Sequence, residues 1–217
     1  MKIVVLGATG NVGSRFTEQA VKAGHQVVAF ARTPESVAAL PGVTTVQGAA
    51  EDTAALAAAA HGADAILVSI TGPMKDSSFM QCTLPKITAA AQQAGVSRIV
   101  LVSAFGAGDP AEKASGFARL LYRTVLGKFF REKAASDRLM QSSGLDWTIM
   151  YPVNLKDADA LPEGAAVKAP NQVRKVPGLP TLPFESAAAG ILRVITDPGT
   201  IGQRILITTP NGWKPAQ

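Results

Sequence analysis

The feature that most constrains this chain is a junction near its start. A continuous apolar run, residues 3–6, passes without a break into Gly7-Ala8-Thr9-Gly10-Asn11-Val12-Gly13. Consecutive apolar residues with no alternation mark a strand covered on both faces, as in a parallel sheet. Over residues 11–23, Val12, Phe16, Ala20 and Ala23 recur at spacings of three and four, a helical period that Gly24 stops. In a GxxGxxG turn each glycine meets a separate need: Gly7 lets the chain leave the strand sharply, Gly10 lets a pyrophosphate approach the backbone, and Gly13 lets the helix pack close. The helix N-terminus adds free N–H groups and a positive dipole end. A glycine pattern alone is weak, but strand, turn and helix in this order point to a dinucleotide site. The competing reading is a tight turn of purely structural use.

The alternation of strand and helix continues. Strands are expected at residues 26–31, 43–47, 65–70, 98–103, 147–151 and 204–208. Between them fall a short helix near Pro34 with Thr33 as N-cap, an alanine-rich helix at 51–61, and a helix at 77–94 closed by Gly95. Residues 111–143 read as mostly helical, broken near Gly116 and Gly127, and 184–196 as the last helix. Residues 152–183 are rich in Pro, Gly and Lys and show no period. A long irregular stretch in a compact domain is commonly functional. The expectation is one Rossmann domain over residues 1–217: an α/β fold with a doubly wound, mostly parallel sheet and helices on both faces. The strand order would be 3-2-1-4-5-6 with a further C-terminal strand, and residues 153–183 would form an irregular substrate-side segment. The cleft would lie above Gly7, Ile70, Ser103 and Pro152, roofed by residues 105–130 and 154–180.

The second strand ends Ala29-Phe30-Ala31-Arg32-Thr33. NAD sites place an acid at this strand end to bond the ribose 2′-hydroxyl. No acid occurs here before Glu35, and Arg32 is placed to clasp a 2′-phosphate with paired hydrogen bonds. NADP(H) is therefore the expected cofactor, against the alternative of a solvated surface arginine.

Composition narrows the remaining classes. A single cysteine, Cys82, allows no intrachain disulfide and fits a reducing compartment. It lies near Met80 and Leu84 and reads as a packed small residue rather than a reactive thiol. His25 and His61 sit at helix ends, and with one cysteine they offer no metal constellation. The apolar start is too short for a secretory signal, and no run approaches the ~18 apolar residues of a membrane span. A cytoplasmic protein is expected. The net charge of +5 comes from scattered basic residues without an aromatic platform for bases. The expected partner is a small-molecule substrate, with no nucleic acid, and the chain as a monomer or weak homodimer. Residues 117–130 combine Leu120, Leu121, Val125, Leu126, Phe129 and Phe130 with Arg119, Arg123 and Lys128. They could lie on a membrane, cover a pocket, meet another subunit, or pack with a solvated face.

The opening GATGNVG, Arg32, Ser103-Ala104-Phe105, and Ser143-Gly144-Leu145-Asp146-Trp147-Thr148-Ile149 before Pro152 together resemble the atypical short-chain dehydrogenases/reductases. Within these the chain is similar to the NAD(P)H-binding, NmrA-like group that includes biliverdin reductase B/flavin reductase. The likeness spans nearly the whole chain and is weakest over residues 153–183. It implies that Gly7, Thr9, Gly10, Asn11 and Val12 wrap the diphosphate and Arg32 meets the 2′-phosphate. Ser69, Ile70 and Thr71 would flank the adenosine ribose and diphosphate. Ser103 and Ala104 would lie near the nicotinamide, and Pro152 and Val153 would border its carboxamide.

One departure matters. The YxxxK pair of short-chain dehydrogenases falls on Phe129 and Lys133, and phenylalanine cannot donate or accept a proton. Neither Tyr122 nor Tyr151 is followed by a lysine four residues on. The resemblance implies hydride transfer to a large conjugated acceptor, which needs mainly positioning. Ser103 and Lys133 are the candidate catalytic residues, with Lys133 also holding cofactor, and Phe105 and Asn154 are the substrate-side candidates. Two histidines of the resembled family fall on Asn154 and Asp137. Ser103 has no histidine partner for a hydrolase triad. Two other classes stay open: an NADP(H)-binding redox sensor without turnover, and an isomerase or epimerase that retains its cofactor.

Overall fold

The computed structural model describes residues 1–72, 78–124 and 126–216. In chain order the elements are β1 (Lys2–Leu6), α1 (Asn11–Lys22), β2 (Gln26–Ala31), β3 (Val43–Gln47), α2 (Thr53–Ala60), β4 (Ala65–Val68), α3 (Phe79–Gln93), β5 (Arg98–Val102), α4 (Gly116–Thr124), α5 (Gly127–Gln141) and β6 (Asp146–Pro152). There follow β7 (Asn154–Lys156), β8 (Ala166–Lys168), β9 (Val173–Lys175), β10 (Thr181–Pro183), α6 (Phe184–Ile195), β11 (Gln203–Thr208) and β12 (Lys214–Pro215).

The main sheet has eight strands in the order β3-β2-β1-β4-β5-β6-β11-β8. All pair in parallel except β8, which runs antiparallel to β11. This is the expected α/β Rossmann order with its extra C-terminal strand. Every residue of β4 and β5 is buried, which is why β4 and, after Arg98, β5 read as unbroken apolar runs. The edge strand β3 is partly exposed and correspondingly polar. Helices α1 and α6 pack together, while α2, α3 and α5 pack side by side.

Two buried polar devices tie the layers together. Arg98 of β5 donates to Thr148 Oγ1 at 2.7 Å, to Thr200 Oγ1 at 2.8 Å and to the Val194 carbonyl at 2.9 Å, joining β5, β6 and the end of α6. Glu132 of α5 accepts from the Met80 N–H at 3.0 Å, satisfying a donor that the first turn of α3 leaves free.

The structure revises several sequence expectations. Residues 153–183 are not wholly irregular: β7 pairs with β10, β8 extends the main sheet, and β9 pairs with β12. Strands of three residues are too short to display a period of two. Thr33 does not cap the turn at Pro34–Ser36 with its side chain. The alanine-rich helix begins at Thr53, where Asp52 Oδ1 accepts from the Ala55 N–H at 3.0 Å. Strand β4 ends at Val68, freeing Ser69 and Ile70 to turn into the cleft. Cys82 is exposed on α3, not packed. The expected helix start at Ser77 and Val125 of the 117–130 stretch lie outside the described residues. Among the described residues, no group of three or more metal-ligating side chains occurs, and no helix is long and apolar enough to cross a membrane.

Candidate active site

The glycine turn is built by close approach. Gly7 has φ +88°, and a Cβ there would stand 2.2 Å from the Ser69 carbonyl oxygen. A Cβ on Gly13 would stand 2.1 Å from the Gly7 carbonyl oxygen, so the first turn of α1 rests directly on the loop. Gly10 caps α1, no side chain caps that helix end, and its first turn carries no acid. The N–H groups and positive dipole end are thus left to an anion. These features fit a diphosphate.

From this turn a cleft runs both ways across the C-terminal ends of the strands. The distal part has a volume of about 710 Å³, and Gly7, Thr9, Arg32 and Ile70 line it. The proximal part, about 440 Å³, is lined by Asn11, Val12, Ser103, Ala104, Phe105 and Lys133. Pro152, Val153 and Asn154 close its β6 side. Gly10, Ser69 and Thr71 border both parts, so the two meet at the helix N-terminus. The structure thereby brings every candidate residue to one cleft. A separate depression of about 520 Å³, between Lys168, Arg193 and Trp213, shares no residue with it.

Arg32 is exposed at the distal mouth, and no ion pair among the described residues ties it down. Glu51 lines the same cavity, as do Phe30 and Phe79. No motif marked these three in the sequence; they arrive from the ends of β2 and the starts of α2 and α3.

In the proximal part, backbone ladders fix the Ser103–Phe105 segment: Ser103 N–H donates to the Met150 carbonyl at 2.8 Å, and Phe105 N–H to the Pro152 carbonyl at 2.9 Å. Phe105, Tyr122, Phe130 and Phe129 form a chain of ring contacts, with centroids 4.8 to 6.5 Å apart. Leu126, Phe129 and Phe130 carry that apolar wall into the cavity. Of the readings open for residues 117–130, pocket cover describes this end, while Phe117 and Leu120 of α4 face solvent at 69% and 62% exposure.

Lys133 is not a solvated helix lysine. It is 3% exposed, its Nζ lies 5.8 Å from the Phe129 ring centroid, and its nearest hydroxyl partner is Thr71 Oγ1 at 3.5 Å. Burial lowers its pKa, against the opposing charges of Glu132 and Asp137. One turn further along α5, Asp137 is also 3% exposed and accepts from the Tyr151 hydroxyl at 2.8 Å. Burial pushes the Asp137 carboxyl up to about 6, although Tyr151, Ser103, Lys133 and Arg204 all favour its charged form. Burial and the neighbouring Asp137 push the Tyr151 phenol upward. Sequence reasoning missed this pair, because fourteen positions separate its members and no spacing rule joins them.

A family model described as NAD(P)H-binding matches residues 7–198. The chain belongs to this NAD(P)H-binding family. The expected NAD(P)H-binding character is thereby borne out. Among curated relatives, this NAD(P)H-binding chain is 31% identical over 151 residues to a (4-alkanoyl-5-oxo-2,5-dihydrofuran-3-yl)methyl phosphate reductase of Streptomyces griseus. The match covers 69% of this chain and 46% of that protein, so the region of likeness spans about half the relative's length. It is 26% identical to an uncharacterized sugar epimerase, YhfK, of Bacillus subtilis, over 72% of this chain and 73% of that one. Among solved structures, it superposes on ChuY, an anaerobillin reductase of Escherichia coli O157:H7, with a TM-score of 0.78, 26% identity and full coverage of both chains.

Proposed function

We propose that this protein is an NADPH-dependent oxidoreductase of the atypical short-chain, NmrA-like type, flavin reductase-like and cytoplasmic, that reduces a conjugated acceptor of flavin, tetrapyrrole or quinone class. The observation that carries the reading is the wall shared by Phe129, Ser103 and Lys133. The YxxxK tyrosine position presents a hydrocarbon ring to the cavity beside a buried lysine. A simple ketone needs a proton as its oxygen gains charge, and Phe129 has none to give. A conjugated acceptor spreads that charge over its rings, and the apolar faces of Phe105, Leu126, Phe129 and Phe130 suit a flat molecule.

The cofactor supplies a hydride when bound; the residues supply its position. Gly7, Thr9, Gly10, Asn11 and Val12 hold the diphosphate at the uncapped start of α1. Arg32 holds the 2′-phosphate, and Ser69, Ile70 and Thr71 flank the adenosine ribose. Lys133, dry and beside Thr71, holds the nicotinamide ribose. Ser103 and Ala104 face the nicotinamide, with Pro152 and Val153 along its carboxamide. Phe105 and Asn154 border the acceptor. The Streptomyces and Escherichia coli relatives are both reductases, which supports the reaction class.

The likeness to the Bacillus epimerase favours a second reading, an epimerase that retains its cofactor. The test is NADPH oxidation followed by absorbance, with FMN, biliverdin and simple quinones as acceptors. Saturable turnover with any of them is the expected result. NADPH binding without oxidation by any acceptor would overturn the proposal in favour of a redox sensor or a cofactor-retaining epimerase.

A further inference from the structure

The polar atoms behind the proximal cavity are incompletely paired. Ser103 Oγ and Asp137 Oδ1 are both buried, and neither completes a hydrogen bond of good geometry. Yet the serine lies close enough to the carboxyl to help hold its charged form. Leaving a buried polar atom unpaired costs about 1–3 kcal/mol, so two facing one another call for a role or a missing partner. Ser103 borders the cavity, although its Oγ is itself buried; Asp137 does not border it and stands behind, 3% exposed.

We propose that Ser103 and Asp137 form a proton relay into the proximal cavity, with the Ser103 hydroxyl turning about its Cα–Cβ bond from Asp137 toward the acceptor and Asp137 as the positioned acid behind it. The proposal rests on the reductase reading above: the conjugated acceptor spreads the charge that the hydride brings, and the relay protonates the resulting anion in a later step. With one hydride delivered to the acceptor and NADP⁺ left behind, the Ser103 hydroxyl gives its proton to the reduced acceptor anion. The carboxylic acid of Asp137 gives its own proton to Ser103 Oγ, restoring the hydroxyl. Asp137 is left as a carboxylate and regains its proton through Ser103, from water that enters the cavity after product leaves. The net change is acceptor plus NADPH plus H⁺ to reduced acceptor plus NADP⁺.

The surroundings suit both states of the acid. Lys133, four residues earlier on the same face of α5, faces the carboxylate, as do the Tyr151 hydroxyl from β6 and Arg204 from β11. Arg204 is itself paired with Asp109 at 2.7 Å, which tempers its pull. Burial opposes all of them, and the carboxyl titrates at about 6, where acid and base forms are both accessible near neutrality.

The first test is free of turnover. In the protein without cofactor, an infrared pH titration should show a protonated-carboxyl band that disappears around pH 6 and is absent from Asp137→Asn. In turnover, wild-type kcat should fall above about pH 6. Asp137→Asn, which keeps an acceptor for Tyr151, should lower kcat about 100-fold and flatten that limb while leaving the NADPH Kd within about twofold. Ser103→Ala should lose a similar factor, and the double variant little more, as expected of two members of one path. Tyr151→Phe removes a hydrogen bond that favours the carboxylate, so it should move the falling limb to higher pH with the fold intact. Wild-type kcat and pH profile in Asp137→Asn, or an unmoved limb in Tyr151→Phe, would overturn the relay and leave the reductase reading standing. No oxidation of NADPH by the wild type would overturn that reading and the relay with it.

Discussion

The two ends of the cleft are made of different material. The distal end opens from a turn made of backbone: Gly7 and Gly13 have no room for a Cβ, and the start of α1 is left bare for an anion. The proximal end is built from side chains, with an aromatic wall on α4 and α5, a dry lysine, and a serine backed by a buried acid. A backbone turn without room for a Cβ admits almost no variation. A side-chain site can be rewritten residue by residue, and in this chain its wall sets the ring of Phe129 beside Lys133.

The sharpest way to break this contrast is Gly7→Ala. A methyl group 2.2 Å from a backbone oxygen, at a positive φ, should cost about 3–5 kcal/mol in denaturant unfolding and abolish NADPH binding by fluorescence titration. A stable, NADPH-binding variant would show that the turn is not the rigid element described.

Next in size is the pH dependence of stability at Asp137. Its carboxyl titrates at about 6 in the folded chain, above the ordinary aspartate value of 3.8. Between these values the folded state holds the proton more tightly than the unfolded chain, so stability falls as pH rises through that window. Asp137→Asn lacks this loss. Its stability relative to wild type should grow by roughly 2–3 kcal/mol from pH 4 to pH 7. Parallel stability curves for the two proteins would contradict the burial argument.

Lys133→Ala should lower turnover about 10–100-fold while weakening NADPH less, because its position is set for the reacting end of the cleft. Wild-type turnover would reduce Lys133 to a buried structural residue. Arg32→Ala should weaken NADPH by about 1–3 kcal/mol and leave NADH nearly unchanged, the loss of a charge-assisted bond to one phosphate. Equal loss for both would remove Arg32 from the 2′-phosphate. The smallest effect belongs to Gly116→Ala at the start of α4. A Cβ there meets nothing within 4 Å, so about 0.4–1 kcal/mol of stabilisation is expected from thermal unfolding. Destabilisation would mean that the roof of the proximal cavity is as tightly built as the turn.

What could be read in advance follows the same division. The apolar β1, the glycine turn and the period of α1 are local properties of φ, ψ and neighbouring side chains, so residues 1–33 reveal their geometry in order. The placement of Arg32 and of Ser103 followed too, because a strand end in a parallel sheet is a fixed address. Residues 153–183 were opaque because their three-residue strands gain their partners from far along the chain: β8 from β11, and β9 from β12. The expected packing of Cys82 failed because apolar neighbours in sequence point to different sides of a helix, and Met80 and Leu84 are buried while Cys82 is exposed. Lys133 carried its position in the sequence but not its burial, and Asp137 gave no sign of meeting Tyr151. Spacing along the chain fixes local backbone and the face on which a residue lies. Desolvation and pairing depend on which distant segments arrive beside it, and those come only with the packing of α5 against α3, α4 and β6.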